Sequence, residues 1–324
     1  MDNVFATERA SLVKDIAFID GITRSGKFLL AKIVSGLKDV EYFQYIHIVE
    51  QIPYIFRLGG ITENAAIALL KSTIDRHAYD MSMGRSINLY CEDRSSIFNA
   101  PNFYDYLSRM FRKHERKDII EFLKNKERMF LYLTHNTLPN INLLFQAYPN
   151  LKVIYLVRHP IDLTYSWFLK GYGDFGNPDL LKLSPDIKGV SYPVPWYAFN
   201  WRDEYDSIND AERIIKSISV LTEMSKKAYK ALSKEQKQRI MFVRYEDLIE
   251  DTRKVIRGIC GFLNKNESDG MAQILARERC PNSLSNDLRK KKNDELLKEV
   301  SGDYKSSLLI LSDEYEDKVR GFVE

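Results

Sequence analysis

Residues 15–30, DIAFIDGITRSGKFLL, form the stretch that decides the fold. The apolar run 16–19 predicts a short buried strand, and the apolar residues after Lys27 predict the start of a helix. The loop 21–27, GITRSGK, joins them. In a strand–loop–helix unit, the N–H groups of the loop and of the first helical turn point at one place and bind phosphate there. The stretch therefore predicts an anion site at the end of a strand.

The loop departs from the nucleotide triphosphatase pattern at one position. Its spacing fits G-x-x-x-x-G-K through Gly21, Gly26 and Lys27, but the next residue is Phe28. In that pattern the next residue is Ser or Thr, whose hydroxyl binds Mg²⁺. We therefore expect this loop to bind a phosphate or sulfate group without the usual metal ligand. The five histidines and three cysteines show no zinc-ligand spacing, so no metal is expected.

Composition limits the class of protein. The 324 residues are 44% hydrophobic, which is enough for a sizeable core, and the net charge of +3 does not argue for nucleic-acid binding. Without repeats, low-complexity segments or a clear linker, we expect a single domain over 1–324. Three scattered cysteines suit a reducing compartment. The first 15 residues are charged and lack the apolar region of a signal peptide, and no apolar run approaches about 18 residues, so we expect a cytoplasmic protein without a membrane span.

Strands and helices alternate along the chain. This alternation predicts an α/β fold with a central, mainly parallel sheet flanked by helices. The predicted strands are 16–19, 40–46, 129–134, 151–157 and 239–245. The main predicted helices are 27–38, 63–78, 105–127, 140–147, one from Ile161, 252–263 and 267–280, and residues 196–232 are predicted to be mainly helical. The predicted loops are 79–104, 171–195, which holds four Gly and four Pro, and the basic segment 285–293, followed by two short helices.

Three predicted strands end in polar residues. The first ends in the loop 21–27, the third in Thr134-His135-Asn136, and the fourth in Arg158, with Ser166 eight residues later. Ligands of open parallel sheets lie at the carboxyl ends of the strands. An Arg guanidinium and a Ser hydroxyl at a helix start suit a second phosphate. The sequence thus predicts one cleft that holds two anionic groups, one at each end of a nucleotide.

The order of these motifs resembles a known family. G-x-T-R-S-G-K, T-H-x-x-L-P, V-R-H-P-x-D-x-x-x-S and R-Y-E-D-L together are similar to the sulfotransferases that use 3′-phosphoadenosine 5′-phosphosulfate (PAPS) and release PAP. The resemblance covers about residues 15 to 263, with a weaker part to 292, and its most specific part is 154–168, IYLVRHPIDLTYSWF. It implies a P-loop-like α/β fold and a donor that needs no metal.

The resemblance also implies roles for residues. The loop, with Gly21, Thr23, Arg24, Ser25, Gly26, Lys27 and Phe28, would bind the 5′-phosphosulfate. Arg24 stands where the family commonly has a lysine that contacts the bridging oxygen, and Lys27 where it has a threonine, so which side chain stabilises the leaving phosphate stays open. Arg158 and Ser166 would hold the 3′-phosphate, the alternative for Arg158 being a salt bridge to Asp162.

Other implied roles lie further along the chain. His135 matches the general base, with His159, Glu50, Glu92 and Asp93 as competitors, since some branches use a glutamate. Arg289, Lys290 and Lys291 would close over the 3′-phosphate, the alternative being a solvated basic turn. Trp196-Tyr197 resembles a segment near the adenine, whereas Glu246-Asp247 reads as structural.

Three functions follow as hypotheses. The first is transfer of a sulfuryl group from PAPS to a hydroxyl or amine of a small-molecule or carbohydrate acceptor. Its acceptor site would be formed by the variable segments 79–104 and 171–195, whose aromatic side chains either line that site or pack as core. The second is a P-loop kinase or triphosphatase, against which Phe28 and the lack of a clear Walker-B strand count. The third is a non-catalytic nucleotide-binding relative.

Overall fold

The structure is a computed structural model that describes residues 10–125, 127–185 and 187–317. Residues 1–9, which include most of the segment used to exclude a signal peptide, lie outside the described residues. In the described ranges, no helix combines the length and the apolar character that crossing a membrane requires.

Five parallel strands form one sheet in the order β2-β3-β1-β4-β5. They are β1 (Asp15–Asp20), β2 (Gln44–Tyr45), β3 (Met129–Leu133), β4 (Lys152–Val157) and β5 (Ile240–Arg244). The predicted α/β class is therefore confirmed, and every predicted strand is present. The second strand has only two residues instead of the predicted 40–46, since it pairs with β3 through Gln44 and Tyr45 alone.

The described residues form sixteen α-helices around this sheet. The first eight are α1 (Lys27–Val34), α2 (His47–Arg57), α3 (Glu63–Ser82), α4 (Phe103–Phe111), α5 (Arg116–Lys124), α6 (Ile141–Ala147), α7 (Pro160–Phe168) and α8 (Pro178–Leu183). The others are α9 (Arg202–Ser207), α10 (Asp210–Lys230), α11 (Lys234–Lys237), α12 (Tyr245–Glu250), α13 (Thr252–Leu263), α14 (Met271–Arg277), α15 (Asn286–Leu296) and α16 (Gly302–Asp317). Short 3₁₀ turns occur at Ile97–Asn99, Leu138–Asn140 and Trp196–Trp201.

The central strands β1, β3 and β4 are buried on both faces, which explains why their middle residues are apolar. On one face, residues such as Ile19, Leu133 and Ile154 pack against α1, α13 and α14. On the other face, residues such as Phe18 and Tyr155 pack against α3 and α6. Each large apolar side chain buried in this way stabilises the fold by about 1.5–3 kcal/mol. The two layers hold β1, β3 and β4 side by side, so their carboxyl ends meet at one edge.

Two element predictions are wrong. The predicted helix 105–127 is interrupted between α4 and α5, because residues 112–115 (RKHE) offer no apolar side chain to bury, and Arg112 has an extended backbone. The predicted basic loop 285–293 is the helix α15. The side chain of Ser285 caps its first turn by accepting from the Leu288 N–H, and Leu296 anchors its end in the core.

The long loop 171–195 contains one helix that the sequence did not predict. Asn177 caps α8 by accepting from two backbone N–H groups, and Pro178 occupies the first helical position, where its missing N–H costs nothing. Three further predictions differ at their ends: α1 ends at Val34, α3 continues to Ser82, and α14 is shorter than 267–280.

Candidate functional site

The site lies where the central strands β1, β3 and β4 end. The loop 21–27 follows β1, with the turn after β3 on one side and Arg158 after β4 on the other. Backbone and side-chain bonds join the three: the Asn136 N–H donates to Gly21 O over 3.1 Å, and Arg158 Nη1 donates to Arg24 O over 2.9 Å. The sheet order therefore brings together residues that are more than 100 positions apart in the chain.

The backbone of the loop is unusual at three positions. Gly21 and Gly26 have φ angles of 149° and 103°, and Arg24 has a φ of 71°. A Cβ at Gly26 would lie 2.5 Å from the Tyr245 ring, so only glycine fits there. A left-handed conformation costs a non-glycine residue about 1–2 kcal/mol. At Arg24 it is held in place by the hydrogen bond that Arg158 donates to its carbonyl.

A clamp on Thr23 fixes the outer side of the loop. The Thr23 N–H donates to Asn136 Oδ1 over 3.1 Å, and Asn136 Nδ2 lies 3.2 Å from Thr23 Oγ1. Trp167 Nε1 donates to the Thr23 carbonyl over 2.6 Å. Neither Asn136 nor Trp167 was among the predicted site residues. The signal for Asn136 was its place after His135 at a strand end, since Asn readily adopts the left-handed φ of 55° seen there.

Lys27 points under the loop. Its Nζ donates to Gly21 O over 2.9 Å and to Ile22 O over 2.8 Å, and the residue is only 2% exposed. Burial lowers the pKa of Lys27 to about 8, although the charges of Asp20 and Glu50 act in the opposite direction. Lys27 therefore holds the loop by its carbonyls and places a buried positive charge beneath it.

Arg24, Arg158 and Ser166 lie together on the other side. Arg24 Nε donates to Ser166 Oγ over 3.2 Å, and the Arg158 guanidinium lies 4.6 Å from the centre of the Tyr245 ring. Seven buried side-chain polar atoms of the described residues have no hydrogen-bond partner, and two of them, Arg158 Nε and Ser25 Oγ, lie at the anion loop. A buried donor without a partner costs about 1–3 kcal/mol, so these atoms fit an anionic ligand that supplies acceptor oxygens.

Asp162 pairs with α15 instead of Arg158. Its carboxylate accepts from Arg289 Nε over 2.8 Å and also from Lys292. Burial raises the pKa of Asp162, but the hydrogen bonds from Lys292 and Arg289 outweigh it and leave the pKa below its ordinary value. Asp162 therefore forms its salt bridge with Arg289, and not the one with Arg158 that was the alternative role for Arg158. Lys290 and Lys291 are exposed on α15, and the role of all three basic residues toward a 3′-phosphate stays a prediction.

His135 is held by a buried carboxyl group. Its Nδ1 lies 2.8 Å from Glu50 Oε1, and its backbone N–H donates to the same oxygen. Glu50 Oε2 accepts from the Tyr45 hydroxyl over 3.0 Å, and the Tyr54 hydroxyl donates to the His135 carbonyl. Burial, with the nearby charges of Lys27 and His47, lowers the pKa of His135 well below its ordinary value, so the imidazole is neutral.

The other candidate bases have different surroundings. His159 Nδ1 accepts from the Ile161 N–H, and its Nε2 lies 3.1 Å from Glu316 on α16. Glu92 accepts from the Tyr90 hydroxyl at the surface, and Asp93 accepts from Ser95. Glu246 accepts from the His159 N–H over 3.1 Å and from the Tyr315 hydroxyl, which agrees with the structural role predicted for it.

A cavity of about 460 Å³ lies at the ends of the central strands. The loop, Arg158 and His135 line it, and the two variable segments add Arg94, Tyr172 and Asp179. Tyr45 and His47 also line it, although no sequence motif predicts them. A second cavity of about 670 Å³ begins at Ser25 and Arg158 and runs along β5 towards α10 and α16.

Trp196 lies on the His135 side of the site. Its ring stacks on that of Tyr54 at 4.4 Å, and the two border a small cavity beside Glu50 and His135. In the described part of the chain, no three His, Cys, Asp or Glu side chains come together as a metal site.

The solved structures to which this chain is similar include three sulfotransferases. The sulfotransferase domain from the curacin biosynthetic pathway shares 16% sequence identity and a TM-score of 0.51, over 95% of this chain and 99% of that chain. The sulfotransferase domain from the Synechococcus PCC 7002 olefin synthase shares 16% identity, a TM-score of 0.46, and 96% and 98% coverage. Mouse sulfotransferase SULT7A1, solved in complex with PAP, shares 14% identity, a TM-score of 0.39, and 95% and 87% coverage.

Comparison with curated protein sequences gives no match. The family model of the sulfotransferase domain, however, matches residues 14–319. This match includes all five strands and every loop of the site, and it confirms the resemblance seen in the motifs. The chain belongs to the sulfotransferase domain family.

Proposed function

We propose that this chain is an enzyme that transfers a sulfuryl group from PAPS to a hydroxyl or amine of an acceptor. Its family membership supports the reaction class. The observation that carries the proposal is the pair of buried donors without partners, Ser25 Oγ and Arg158 Nε, beside the anion loop. Both donors fit an anionic nucleotide, and the neutral His135 lines the cavity that Arg158 also lines.

In this proposal, different residues bind the two ends of the donor. The loop N–H groups, Ser25 and Arg24 would hold the 5′-phosphosulfate, and Arg158 with Ser166 would hold the 3′-phosphate. Because Arg24 Nε already contacts Ser166 Oγ, the two ends lie close together, as a single nucleoside requires. The PAPS donor supplies an activated sulfuryl group, and the chain supplies binding, charge and a proton acceptor.

Charge at the leaving phosphate is the first task of the chain. Arg24 is partly exposed in the cavity, whereas Lys27 is buried and occupied by two carbonyls. We therefore assign direct contact with the leaving phosphate to Arg24 and the loop N–H groups, with Lys27 acting through its charge. Fixed donors of this kind stabilise developing negative charge without reorganising.

Proton removal from the acceptor is the second task, and we assign it to His135. Its pKa is lowered by burial, so it is neutral and able to accept a proton at pH 7. Arg94, Tyr172 and Asp179 support the assignment of segments 79–104 and 171–195, within a single domain, as the acceptor site. We further propose a small-molecule or carbohydrate acceptor and a cytoplasmic location, the latter supported by three free cysteines, one of them exposed.

Thermal-shift measurements with PAP, PAPS, ATP and ATP with Mg²⁺ test this function. We expect PAP and PAPS to raise Tm without Mg²⁺, since a ligand at 100 times its Kd adds about 2.7 kcal/mol. Arg158→Ala should abolish the shift, and the exposed control Arg116→Ala, on α5, should leave it unchanged. A shift with ATP and Mg²⁺ alone would indicate a kinase or triphosphatase, and no shift with PAP would overturn the proposal.

A further inference from the structure

We propose that Glu50 is a positioning residue for His135, which fixes the imidazole so that Nδ1–H faces Glu50 and Nε2 is free to take the acceptor's proton. The inference rests on the proposed function, in which His135 is the base. Glu50 lies in the first turn of α2 and is 1% exposed. The sequence offered Glu50 and His135 as competing bases, whereas the structure places them in direct contact.

The hydrogen bonds around Glu50 define its function as an acceptor. Three donors converge on its carboxyl group: the His135 backbone N–H, the Tyr45 hydroxyl at 3.0 Å and the imidazole Nδ1 at 2.8 Å. Oε1 of Glu50 accepts from the His135 backbone N–H, and a carboxyl proton can lie on Oε2, toward Tyr45, so the proton of the neutral imidazole is placed on Nδ1, facing Oε1. Burial raises the pKa of Glu50 well above its ordinary value, although the hydrogen bond from Tyr45 and the charge of Lys27 act in the opposite direction. With Nδ1 occupied, Nε2 carries the free lone pair.

Aromatic rings restrict the orientation of the imidazole. The Tyr45 ring stands edge-on to it at 5.0 Å, and the Phe28 ring lies 6.4 Å from it. The Tyr54 hydroxyl donates a hydrogen bond to the His135 backbone carbonyl and so fixes the backbone of His135. A flip of the ring would replace the hydrogen bond to Glu50 with a C–H contact, so the Nδ1–H orientation is favoured by both the packing and the polar contact.

Glu50 cannot reach an acceptor by itself. A general base must come within about 2.6–3.2 Å of the proton that it takes. Glu50 borders a cavity of only about 20 Å³, which has room for one water molecule. The 460 Å³ cavity is lined by His135 and not by Glu50. Glu50 therefore acts through His135.

The proton transfer balances as follows. The acceptor O–H bond breaks, its proton forms a bond to Nε2 of His135, and the acceptor oxygen forms a bond to sulfur. The bond between sulfur and the phosphate oxygen breaks, and its electron pair stays on the phosphate of PAP. The imidazolium that results still donates from Nδ1–H to Glu50 Oε1, which stabilises that state, and the proton on Nε2 later passes to solvent.

Nitrogen NMR of ¹⁵N-histidine-labelled protein tests the inference without knowledge of the acceptor. The His135 signals are assigned by their loss in His135→Ala. We expect the Nδ1–H tautomer in the wild type and a mixture that contains the ordinary Nε2–H tautomer in Glu50→Ala. The surface variant Glu63→Ala, also in the first turn of a helix, is the matched control and should leave the tautomer unchanged. An Nε2–H or a charged imidazole in the wild type at neutral pH would overturn the inference, even if the Glu50 variants do not fold.

Kinetics with PAPS, and water as the probe acceptor, give a second readout. Glu50→Gln should lower the rate of PAP release at saturating PAPS by about 100-fold or more, as for loss of a general base, with an unchanged KM for PAPS. Glu50→Gln in a His135→Ala background should have no further effect. Equal effects of Glu50→Gln in both backgrounds would contradict the positioning role. Failure of PAP to bind the wild type would instead defeat the proposed function, and the tautomer result would still stand.

Discussion

At the scale of single residues, the site depends on buried charges that hold each other in place. Lys27 lies beneath the loop near Asp20 and Glu50, all three at most 2% exposed. Asp20 accepts from the N–H groups of Thr137 and Leu138, which fixes the turn that carries His135. The loop and the turn are thereby joined through one buried cluster. A change at Lys27 should therefore disturb both.

Replacing Lys27 with Met should reveal this coupling as a dependence of stability on pH. The pKa of Lys27 is about 8 in the folded state, whereas its ordinary value, which applies to the unfolded state, is 10.5. The unfolded state therefore binds more protons between pH 8 and pH 10.5. The contribution of Lys27 to the free energy of unfolding therefore rises with pH across this window, by about 3 kcal/mol in total. Urea unfolding of the wild type and of Lys27→Met from pH 7 to pH 10.5 measures the difference.

Lys27→Met should also be less stable at pH 7, by about 3 kcal/mol, because two loop carbonyls lose their donor and Asp20 loses its neighbouring charge. The exposed control Lys290→Met should match the wild type at both ends of the range. Parallel curves for the wild type and Lys27→Met would contradict the lowered pKa.

At the scale of elements, the strand–loop–helix unit depends on its glycines. Gly26 precedes α1 with a left-handed φ of 103°, and a Cβ there would meet the Tyr245 ring at 2.5 Å. We expect Gly26→Ala to cost about 1–3 kcal/mol of stability and to abolish the Tm shift with PAP, since the first-turn N–H groups would move. Thermal unfolding with and without PAP measures both effects.

Gly261 provides the matched control for Gly26. It lies inside α13, and a Cβ there would meet nothing within 4 Å. Gly261→Ala should therefore raise stability by about 0.5–1 kcal/mol and leave the PAP shift unchanged. If Gly26→Ala and Gly261→Ala had the same effects on stability and on the Tm shift with PAP, the left-handed conformation of Gly26 would not explain those effects.

The predictability of each element from sequence follows from its type of burial. The strands β1, β3 and β4 were predicted because parallel strands buried on both faces form apolar runs. Helix α15 was not, because residues 289–295 are all polar, and the helix is fixed by one cap, by Leu296 and by the ion pairs of Arg289 and Lys292 with Asp162. Similarly, His135 and Arg158 were found because they follow predicted strands, whereas the contact of Glu50 with His135 joins residues 85 positions apart, which no local pattern reports.

At the scale of the whole molecule, a helix near the C-terminus contacts the helix that follows Arg158. The helix α15 packs on α7, where Arg289 and Lys292 bind Asp162 in the first turn. Ser166, one of the predicted phosphate ligands, lies four residues further along α7. Docking of α15 and the geometry of the nucleotide site are therefore expected to depend on the same carboxylate.

We expect Asp162→Asn to loosen α15 without unfolding the sheet. The pKa of Asp162 is lowered in the folded state, so the contribution of its ion pairs to stability is present above the ordinary pKa of aspartate and is lost as pH falls through the lowered value. Hydrogen exchange followed by mass spectrometry should show faster exchange in 286–296 for Asp162→Asn at neutral pH and unchanged exchange in β1, β3 and β4. The exposed variant Asp294→Asn, on α15 itself, is the control and should exchange like the wild type. Unchanged exchange of α15 in Asp162→Asn would show that Leu296 and the other apolar contacts hold the helix without the ion pairs.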